Sequence, residues 1–234
     1  MIVYRIAGLN VSISGGGAML LERAEAYCIE SAESVDIEIE VPQEFVKKTC
    51  FSHPNLTENE CAYIFSGVDF YYNLIDHSGF KLHASAVVLD GQAYLFSASS
   101  GTGKSTHTAL WCDYFGISRA YILNDDGPVI KQERDVFMAW GSPWSGTSPL
   151  SRNTGVPLKA IAFLEQSESD WIRPMTFDES IVRLLEQSHR IGEHERTEKL
   201  ISLLEELIKV VPIYRFGCTM NRSAVETAYA AMNK

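Results

Sequence analysis

The glycine-rich stretch 98–106 constrains the fold of this chain more than any other segment. It reads Ala-Ser-Ser-Gly-Thr-Gly-Lys-Ser-Thr and lies between the apolar run 93–96 and the helix-forming residues 108–111. Strand, glycine-rich loop and helix in this order are the arrangement of phosphate-binding loops. Gly101 and Gly103 let successive backbone N–H groups face one anion, and the helix adds its unpaired N–H groups. The stretch therefore predicts a nucleotide site, although Ala98 stands where the stricter pattern has glycine.

The loop also predicts which side chains hold the phosphates and the metal ion. We expect Lys104 to lie against the β- and γ-phosphates and the Ser105 hydroxyl to bind the Mg²⁺ that bridges them. Arg152, which follows a segment rich in glycine, proline and hydroxyl groups, either pairs with the phosphates or the acceptor or is a surface arginine. The residues expected to contact the nucleotide are Ser99, Ser100, Gly101, Thr102, Gly103, Lys104, Ser105, Thr106 and Arg152.

A predicted hairpin brings a histidine to this loop. Residues 82–89 and 92–97 are two apolar strands joined by Asp-Gly, a typical two-residue hairpin turn. The register of that turn places His83 opposite Ala98, at the mouth of the loop. We therefore expect His83 to act beside the phosphates, the alternative being a histidine with only a structural role.

A pair of acids follows the next strand. The apolar residues 121–123 run directly into Asn-Asp-Asp-Gly at 124–127. An apolar strand that ends in acids, shortly after such a loop, brings carboxylates to Mg²⁺. Neighbouring strand residues point to opposite sides, so Asp125 and Asp126 should differ in role. One would serve the metal ion and the other would face the transferred phosphoryl group or its acceptor; the alternative is an ordinary polar turn.

The rest of the chain predicts an α/β protein. We expect a β-rich N-terminal part, with a bulge at Gly8 in its first strand and a loop or weak helix at 43–60. His107 is expected on the surface of the helix that follows the glycine-rich loop and stops at Gly116. Thr176 and Glu179 form a predicted capping box at the start of a later helix.

Composition limits the partners. A formal net charge of −10 disfavours nucleic acid and anionic membranes as binding surfaces. The five cysteines are scattered and contain no C-x-x-C pair, which argues against a disulfide framework or a zinc site. We find no signal peptide and no apolar run of membrane-spanning length, so the expected location is cytoplasmic.

Three segments must be considered together: Leu82-His83-Ala84-Ser85-Ala86, Ser100-Gly101-Thr102-Gly103-Lys104-Ser105-Thr106 and Asn124-Asp125-Asp126. In this order they resemble the superfamily of HPr kinase/phosphorylase and ATP-dependent phosphoenolpyruvate carboxykinase. The likeness covers residues 80–164. It implies a P-loop nucleotide-binding fold of that type with a mixed β-sheet. The expected domains are a β-rich part, 1–78, which is a separate domain or an extension of the main sheet, and a P-loop kinase-like domain, 79–234.

The resemblance implies ATP with Mg²⁺ or Mn²⁺ as cofactors and a phosphotransferase activity. By this likeness His83 and Asp126 join Ser105 as metal ligands, and His83, Lys104, Asp125 and Asp126 form the catalytic set. The acceptor would be a hydroxyl of a protein, peptide or small molecule, and homo-oligomers are typical of HPr kinases.

The chain is short for a carboxykinase and lacks the glycine- and arginine-containing signature loop of true HPr kinases. A non-catalytic nucleotide-binding regulator and a nucleoside triphosphatase therefore remain alternatives, and the sequence does not decide between ATP and GTP.

Overall fold

The computed structural model describes residues 2–188 and 192–234, and all structural statements concern these ranges. The strands are β1 (Ile2–Ile6), β2 (Leu9–Ser14), β3 (Cys28–Ile29), β4 (Ile37–Glu40), β5 (Gly79–Lys81), β6 (Ala84–Leu89), β7 (Gln92–Ser97), β8 (Ala120–Asp126), β9 (Val129–Glu133), β10 (Val136–Trp140), β11 (Gly155–Gln166), β12 (Trp171–Pro174) and β13 (Ile213–Cys218). The α-helices are α1 (Gly17–Arg23), α2 (Gln43–Ser52), α3 (Glu58–Leu74), α4 (Lys104–Phe115), α5 (Phe177–Gln187), α6 (His194–Val210) and α7 (Arg222–Met232).

The larger sheet has nine strands and mixed direction. Its order is β5-β9-β10-β11-β7-β6-β8, with β13 paired to β11 and β12 paired to β13. Strand β11 runs parallel to β7 and to β13, whereas the other pairs in this sheet are antiparallel. The expectation of an α/β chain with a mixed sheet is confirmed.

The hairpin of β6 and β7 has the register that its turn predicts. Asp90 and Gly91 adopt φ values of 49° and 80°, the left-handed backbone of a tight two-residue turn. Leu89 pairs with Gln92 and Ala84 with Ser97. Strand β7 therefore delivers the glycine-rich loop to the strand end beside β6, and β8 pairs on the far side of β6.

Helices cover both faces of this sheet. Helices α4 and α7 lie on one face, where Trp111 and Ala224 belong to one buried cluster, and α5 and α6 lie on the other with Leu184 and Leu204. The expected surface position of His107 on α4 is wrong. Its ring is fully buried and accepts a hydrogen bond from Trp111 Nε1 at 3.1 Å.

The N-terminal part contains a four-stranded sheet of order β3-β1-β2-β4 together with three helices. The bulge expected at Gly8 is wrong, because Ala7 (φ 51°) and Gly8 (φ 78°) form a tight turn between β1 and β2. The segment 43–60 is more ordered than expected, since it holds α2 and the start of α3. Helix α3 begins with a capping box formed by Thr57 and Glu60. The capping box predicted at Thr176 and Glu179, in contrast, is present as expected at the start of α5.

The apolar core of the N-terminal part extends into the rest of the chain. Val129 and Trp144 belong to the same buried cluster as Tyr4, Ile39 and Phe70. Residues from the larger sheet and from the loop after β10 therefore complete this core. No helix within the described ranges combines the length and the hydropathy needed to cross a bilayer.

Candidate functional site

The glycine-rich loop, residues 98–103, connects β7 to α4 through left-handed backbone. Gly101 has φ 78° and Gly103 has φ 109°, conformations that favour glycine. A Cβ atom at Gly103 would lie 2.9 Å from the terminal methyl group of Met220, so a side chain there would displace the end of the Met220 side chain. The loop thus holds the backbone in a tight curve at the N-terminus of a twelve-residue helix. Helix termini of this kind bind anions through free N–H groups.

Lys104 folds back over this loop. Its ammonium group donates to the backbone oxygens of Ala98 at 3.0 Å and Ser99 at 3.4 Å, and the residue is only 9% exposed. Burial lowers the pKa of Lys104, and the nearby charges of Asp126 and Asp125 oppose that shift. Both carboxylates are therefore close enough for their charge to act on the ammonium group, although neither binds it directly.

Asp125 faces helix α4. Its Oδ1 accepts a hydrogen bond from Ser85 Oγ at 2.6 Å, and Ser85 Oγ lies 2.7 Å from the hydroxyl of Thr108 on that helix. Because the Ser85 proton goes to Asp125, the Thr108 hydroxyl donates to Ser85, and its oxygen lies 3.1 Å from the backbone oxygen of Ser105. This chain of contacts connects the Asp125 carboxylate to the first turn of α4, where the exposed Ser105 stands.

Asp126 faces a different set of groups. Its Oδ1 lies 3.3 Å from His83 Nε2 and its Oδ2 lies 3.4 Å from Lys81 Nζ. Burial would raise the pKa of Asp126, but the hydrogen bond with His83 and the charge of Lys81 outweigh it and hold the pKa below its usual value. The other ring nitrogen of His83, Nδ1, lies 3.1 Å from Gln187 Oε1, which fixes the orientation of the imidazole.

Lys81 is a site residue that sequence reasoning missed. It ends the short strand β5, and its Nζ lies 5.3 Å from the centre of the Tyr71 ring as well as close to Asp126. The sequence did carry one indication of Lys81. It stands two residues before His83, and alternate residues of an extended chain point to the same side of the strand. The strand is only three residues long and pairs with distant β9, so the pattern alone was too short to interpret.

A buried amide holds the two acids in place. The Asn124 side-chain oxygen accepts from the backbone N–H of Asp126 at 3.2 Å and of Gly127 at 2.7 Å. Its amide nitrogen donates to the backbone oxygen of Ser142 at 2.9 Å. Asn124 is fully buried, so these bonds fix the end of β8 to the loop that follows β10.

That loop, residues 141–149 and here named the Trp144 loop, lies against Asp126. A Cβ atom at Gly146 would come within 2.9 Å of Asp126 Cβ, and Gly146 has φ 64°. Trp144 is 4% exposed and stacks on Phe70 with ring centres 5.0 Å apart. Its Nε1 donates to the backbone oxygen of Tyr63 at 3.1 Å. The Trp144 loop is therefore anchored on α3 while Gly146 at its tip lies against Asp126.

Arg23, at the end of α1, forms hydrogen bonds with the Trp144 loop. Its Nη1 donates to Ser145 Oγ at 3.0 Å and to the backbone oxygens of Gly146 at 3.1 Å and Ser148 at 2.7 Å. One guanidinium nitrogen thus contacts three acceptors of the loop. The N-terminal part thereby helps to set the position of a loop that touches Asp126.

A cleft of about 440 Å³ opens on the opposite side of the glycine-rich loop from the acid pair. Its walls are the loop, the ends of β11 and β13, and helix α5, whereas the acids lie on β8 beyond β6. Arg215 in this cleft binds Glu165 through two nitrogens at 2.9 and 2.7 Å. The side chains contributed by the sheet ends and α5 are Phe163, Leu164, Glu165, Gln166, Met175, Arg183, Gln187 and Arg215.

The structure separates Arg152 from the other predicted site residues. Its guanidinium group lies 4.1 Å from the centre of the Tyr121 ring, and its backbone N–H binds the oxygen of Leu123 at 2.9 Å. Arg152 thus stands beside the middle of β8, and its contacts do not include the glycine-rich loop. Lys104 begins α4, Asp125 is linked to that helix through Ser85 and Thr108, and Asp126 is paired with His83.

The donor set fits a hard cation that arrives with phosphates. Mg²⁺ is commonly held by one or two carboxylates together with substrate phosphates and water. Asp125, Asp126 and the Ser105 hydroxyl would offer oxygen ligands of that type. Within the described ranges no cluster of three His, Cys, Asp or Glu side chains could hold a metal on its own. A metal ion held by these side chains would take its remaining ligands from phosphate oxygens and water.

Comparisons with known proteins give a family and a weak structural likeness. The model of the family described as "SynChlorMet cassette protein ScmC" matches residues 62–227. No curated protein sequence matches the chain. Among solved structures it is similar to "Structure of the Hpr(Ser) kinase/phosphatase from Coxiella burnetii" at 14% identity and a TM-score of 0.38, over 66% of this chain and 99% of the other.

Proposed function

We propose that this chain, which belongs to the family described as SynChlorMet cassette protein ScmC, is a kinase that uses ATP and Mg²⁺ to phosphorylate a hydroxyl group of a protein, peptide or small molecule. One observation carries the proposal. Lys104 donates to the backbone of the glycine-rich loop, Asp125 is linked to the same helix through Ser85 and Thr108, and Asp126 is paired with the His83 imidazole. Phosphoryl transfer needs this combination of cation, metal-binding oxygens and a proton acceptor.

The nucleotide in this proposal lies along the loop with its two ends in different surroundings. The β- and γ-phosphates bind the loop N–H groups and Lys104. The γ-phosphate points toward β8, since the carboxylates that serve the metal ion lie there. The nucleoside then occupies the cleft between the loop and the ends of β11 and β13. This cleft has a volume of about 440 Å³, which lies within the range of small-ligand pockets.

Asp125 and Ser105 would hold the metal ion in this proposal. Asp125 is linked through Ser85 to Thr108 of α4, the helix whose first turn carries Ser105. The resemblance to the kinase superfamily favours Asp126 for this role, whereas the side-chain contacts favour Asp125. When bound, Mg²⁺ supplies charge neutralisation at the β- and γ-phosphate oxygens.

Asp126 would orient the acceptor. Its lowered pKa keeps the carboxylate ionised at neutral pH, so it can accept a hydrogen bond from the acceptor hydroxyl. As the acceptor oxygen bonds to the γ-phosphorus, the hydroxyl proton passes to Asp126 and ADP leaves with the electrons of the broken P–O bond. Lys81 and Lys104 stabilise the negative charge on the transferred group, while His83 holds Asp126 in position.

Transfer from γ-labelled ATP tests the proposal. Labelled ATP is supplied with Mg²⁺ to the purified protein, together with a native lysate, serine- and threonine-containing peptides and small hydroxyl compounds. We expect label in at least one acceptor. Asp126→Asn should lower kcat by about 100-fold or more with ATP affinity retained. Asp125→Asn should instead raise the Mn²⁺ concentration that half-saturates the nucleotide complex.

Two results would contradict this function. If ATP binds but its label never leaves, and both variants bind ATP like the wild type, the chain is a nucleotide-binding regulator. If label is released only as inorganic phosphate, the chain is a nucleoside triphosphatase. Asp90→Asn, which alters only a surface pair with Arg119, is the matched control and should transfer label at the wild-type rate.

A further inference from the structure

Two cysteines from different helices lie in direct contact. Cys50 is near the C-terminus of α2 and Cys61 is in the first turn of α3, and their sulfur atoms are 2.9 Å apart. A disulfide requires a sulfur separation of about 2.05 Å and neighbouring backbones. A displacement of less than about 1 Å along this contact would therefore bring the two sulfur atoms to bonding distance.

The two helices are held together around this contact. The rings of Phe45 on α2 and Phe65 on α3 pack with their centres 4.5 Å apart. The connection between the helices, residues 53–57, is short, and the backbone N–H of His53 binds the oxygen of Cys50 at 3.2 Å. The chain thus keeps the two sulfur atoms adjacent without a covalent bond.

Reagents can reach one sulfur but not the other. Cys50 is partly exposed, whereas Cys61 is 1% exposed and lies beneath it. Within the described ranges the remaining cysteines, Cys28, Cys112 and Cys218, have no contact with another sulfur atom. An accessible thiol beside a buried thiol is the arrangement that lets a first oxidation be resolved by a second sulfur.

We propose that Cys50 and Cys61 form a site of reversible oxidation, at which a peroxide converts the two thiols into a disulfide between α2 and α3. The Cys50 sulfur attacks one peroxide oxygen and the O–O bond breaks. Cys50 becomes a sulfenic acid, and the other oxygen leaves as water with the Cys50 thiol proton. The Cys61 sulfur then attacks the Cys50 sulfur, the S–O bond breaks, and a second water leaves with the Cys61 proton. Two thiols are oxidised by two electrons, and one peroxide is reduced to two waters.

The disulfide would stiffen the helix that supports the Trp144 loop. Cys61 precedes Tyr63 by two residues, and the backbone oxygen of Tyr63 accepts the hydrogen bond from Trp144. A cross-link that closes a loop of about twelve residues restricts the unfolded chain. We expect it to raise the midpoint of thermal unfolding by about 5 to 10 °C.

Thiol counting and peptide mapping test the site. The full chain is treated with hydrogen peroxide at about pH 8.5, because the hydrogen bond with Cys61 raises the pKa of Cys50 and makes its thiolate scarce at neutral pH. The protein is then denatured and alkylated. We expect the number of alkylated thiols to fall from five to three, a mass loss of two hydrogens, and a cross-linked Cys50–Cys61 peptide that dithiothreitol releases.

Matched variants separate this site from general oxidation. Cys50→Ser and Cys61→Ser should each lose the cross-link and the gain in melting temperature, whereas Cys112→Ser should keep both. Five alkylated thiols after treatment of the wild type would overturn the proposal. So would sulfinic acid at Cys50 without a cross-link, or a disulfide that involves another cysteine. None of these readouts depends on nucleotide binding, so the proposed kinase function and this site fail or stand separately.

Discussion

Replacing Lys104 with methionine should separate nucleotide binding from stability. Methionine keeps the length and volume of the side chain but removes the ammonium group. The backbone oxygens of Ala98 and Ser99 then lose their donor, at a cost of about 1 to 3 kcal/mol. Removing a charge that burial has partly stripped of water offsets several kcal/mol. We therefore expect the unfolding free energy without nucleotide to change by less than about 1 kcal/mol or to rise.

The affinity of the Lys104→Met variant for ATP, in contrast, should fall strongly. Charge-assisted hydrogen bonds contribute about 1.5 to 3 kcal/mol each, and Lys104 is proposed to contact two phosphates. The loss of about 3 kcal/mol or more corresponds to a fall of at least about 100-fold in ATP affinity. Titration calorimetry measures that affinity, and urea unfolding of the same samples measures stability.

The matched control is Lys48→Met, which removes an exposed lysine from α2 and should leave both quantities unchanged. Unchanged ATP affinity in Lys104→Met would refute the assignment of the loop to phosphates. A destabilisation above about 2 kcal/mol would show that Lys104 mainly serves the fold.

Three further changes test the surroundings of the site. Burial lowers the pKa of His107 to about 4, so protonation of the unfolded chain should reduce the unfolding free energy by about 2 kcal/mol between about pH 7 and pH 5. His107→Gln should lose that slope in urea titrations, and an identical slope would refute the claim. Gly67→Ala should destabilise by about 1 to 3 kcal/mol, because its Cβ would meet the Trp144 ring at 2.7 Å; unchanged melting would contradict this packing. Arg23→Ala should lower kcat more than ATP affinity, since it frees residues 145–148 but not the glycine-rich loop; equal effects on both would argue against this role.

The sequence specified the hairpin of β6 and β7 because its turn is short and its residues are distinctive. Asp90 and Gly91 both adopt left-handed backbone, and a two-residue turn allows one register. The turn between β1 and β2 was not predicted in the same way. Ala7 adopts φ 51° there, although alanine rarely does so, and the Ala-Gly pair resembled a bulge.

His107 shows what a local pattern missed on α4. Thr108 and Trp111 lie one and four residues beyond it and are buried too, and this spacing is that of a core-facing helix stripe. His107 and Thr108 are polar, so the hydrophobic pattern of the sequence did not reveal this buried stripe.

The candidate site was only partly accessible from the sequence. His83, Lys104 and the acid pair belong to short-range motifs, which is why the sequence alone puts them forward as candidates. The ion pair of Lys81 with Asp126 and the contact of Gly146 with Asp126 join elements distant along the chain. Such contacts depend on the order of strands in the sheet, and a motif does not encode that order.

The most direct test of the account is a crystal structure with a non-hydrolysable ATP analogue and Mn²⁺. Anomalous scattering locates the manganese independently of the protein density. The account predicts manganese at about 2.2 Å from an Asp125 oxygen and from Ser105 Oγ. It also predicts the γ-phosphate at hydrogen-bond distance from Lys104, with the nucleoside in the cleft beside β11 and β13. Manganese bound away from Asp125, or a nucleotide that does not touch the glycine-rich loop, would contradict it.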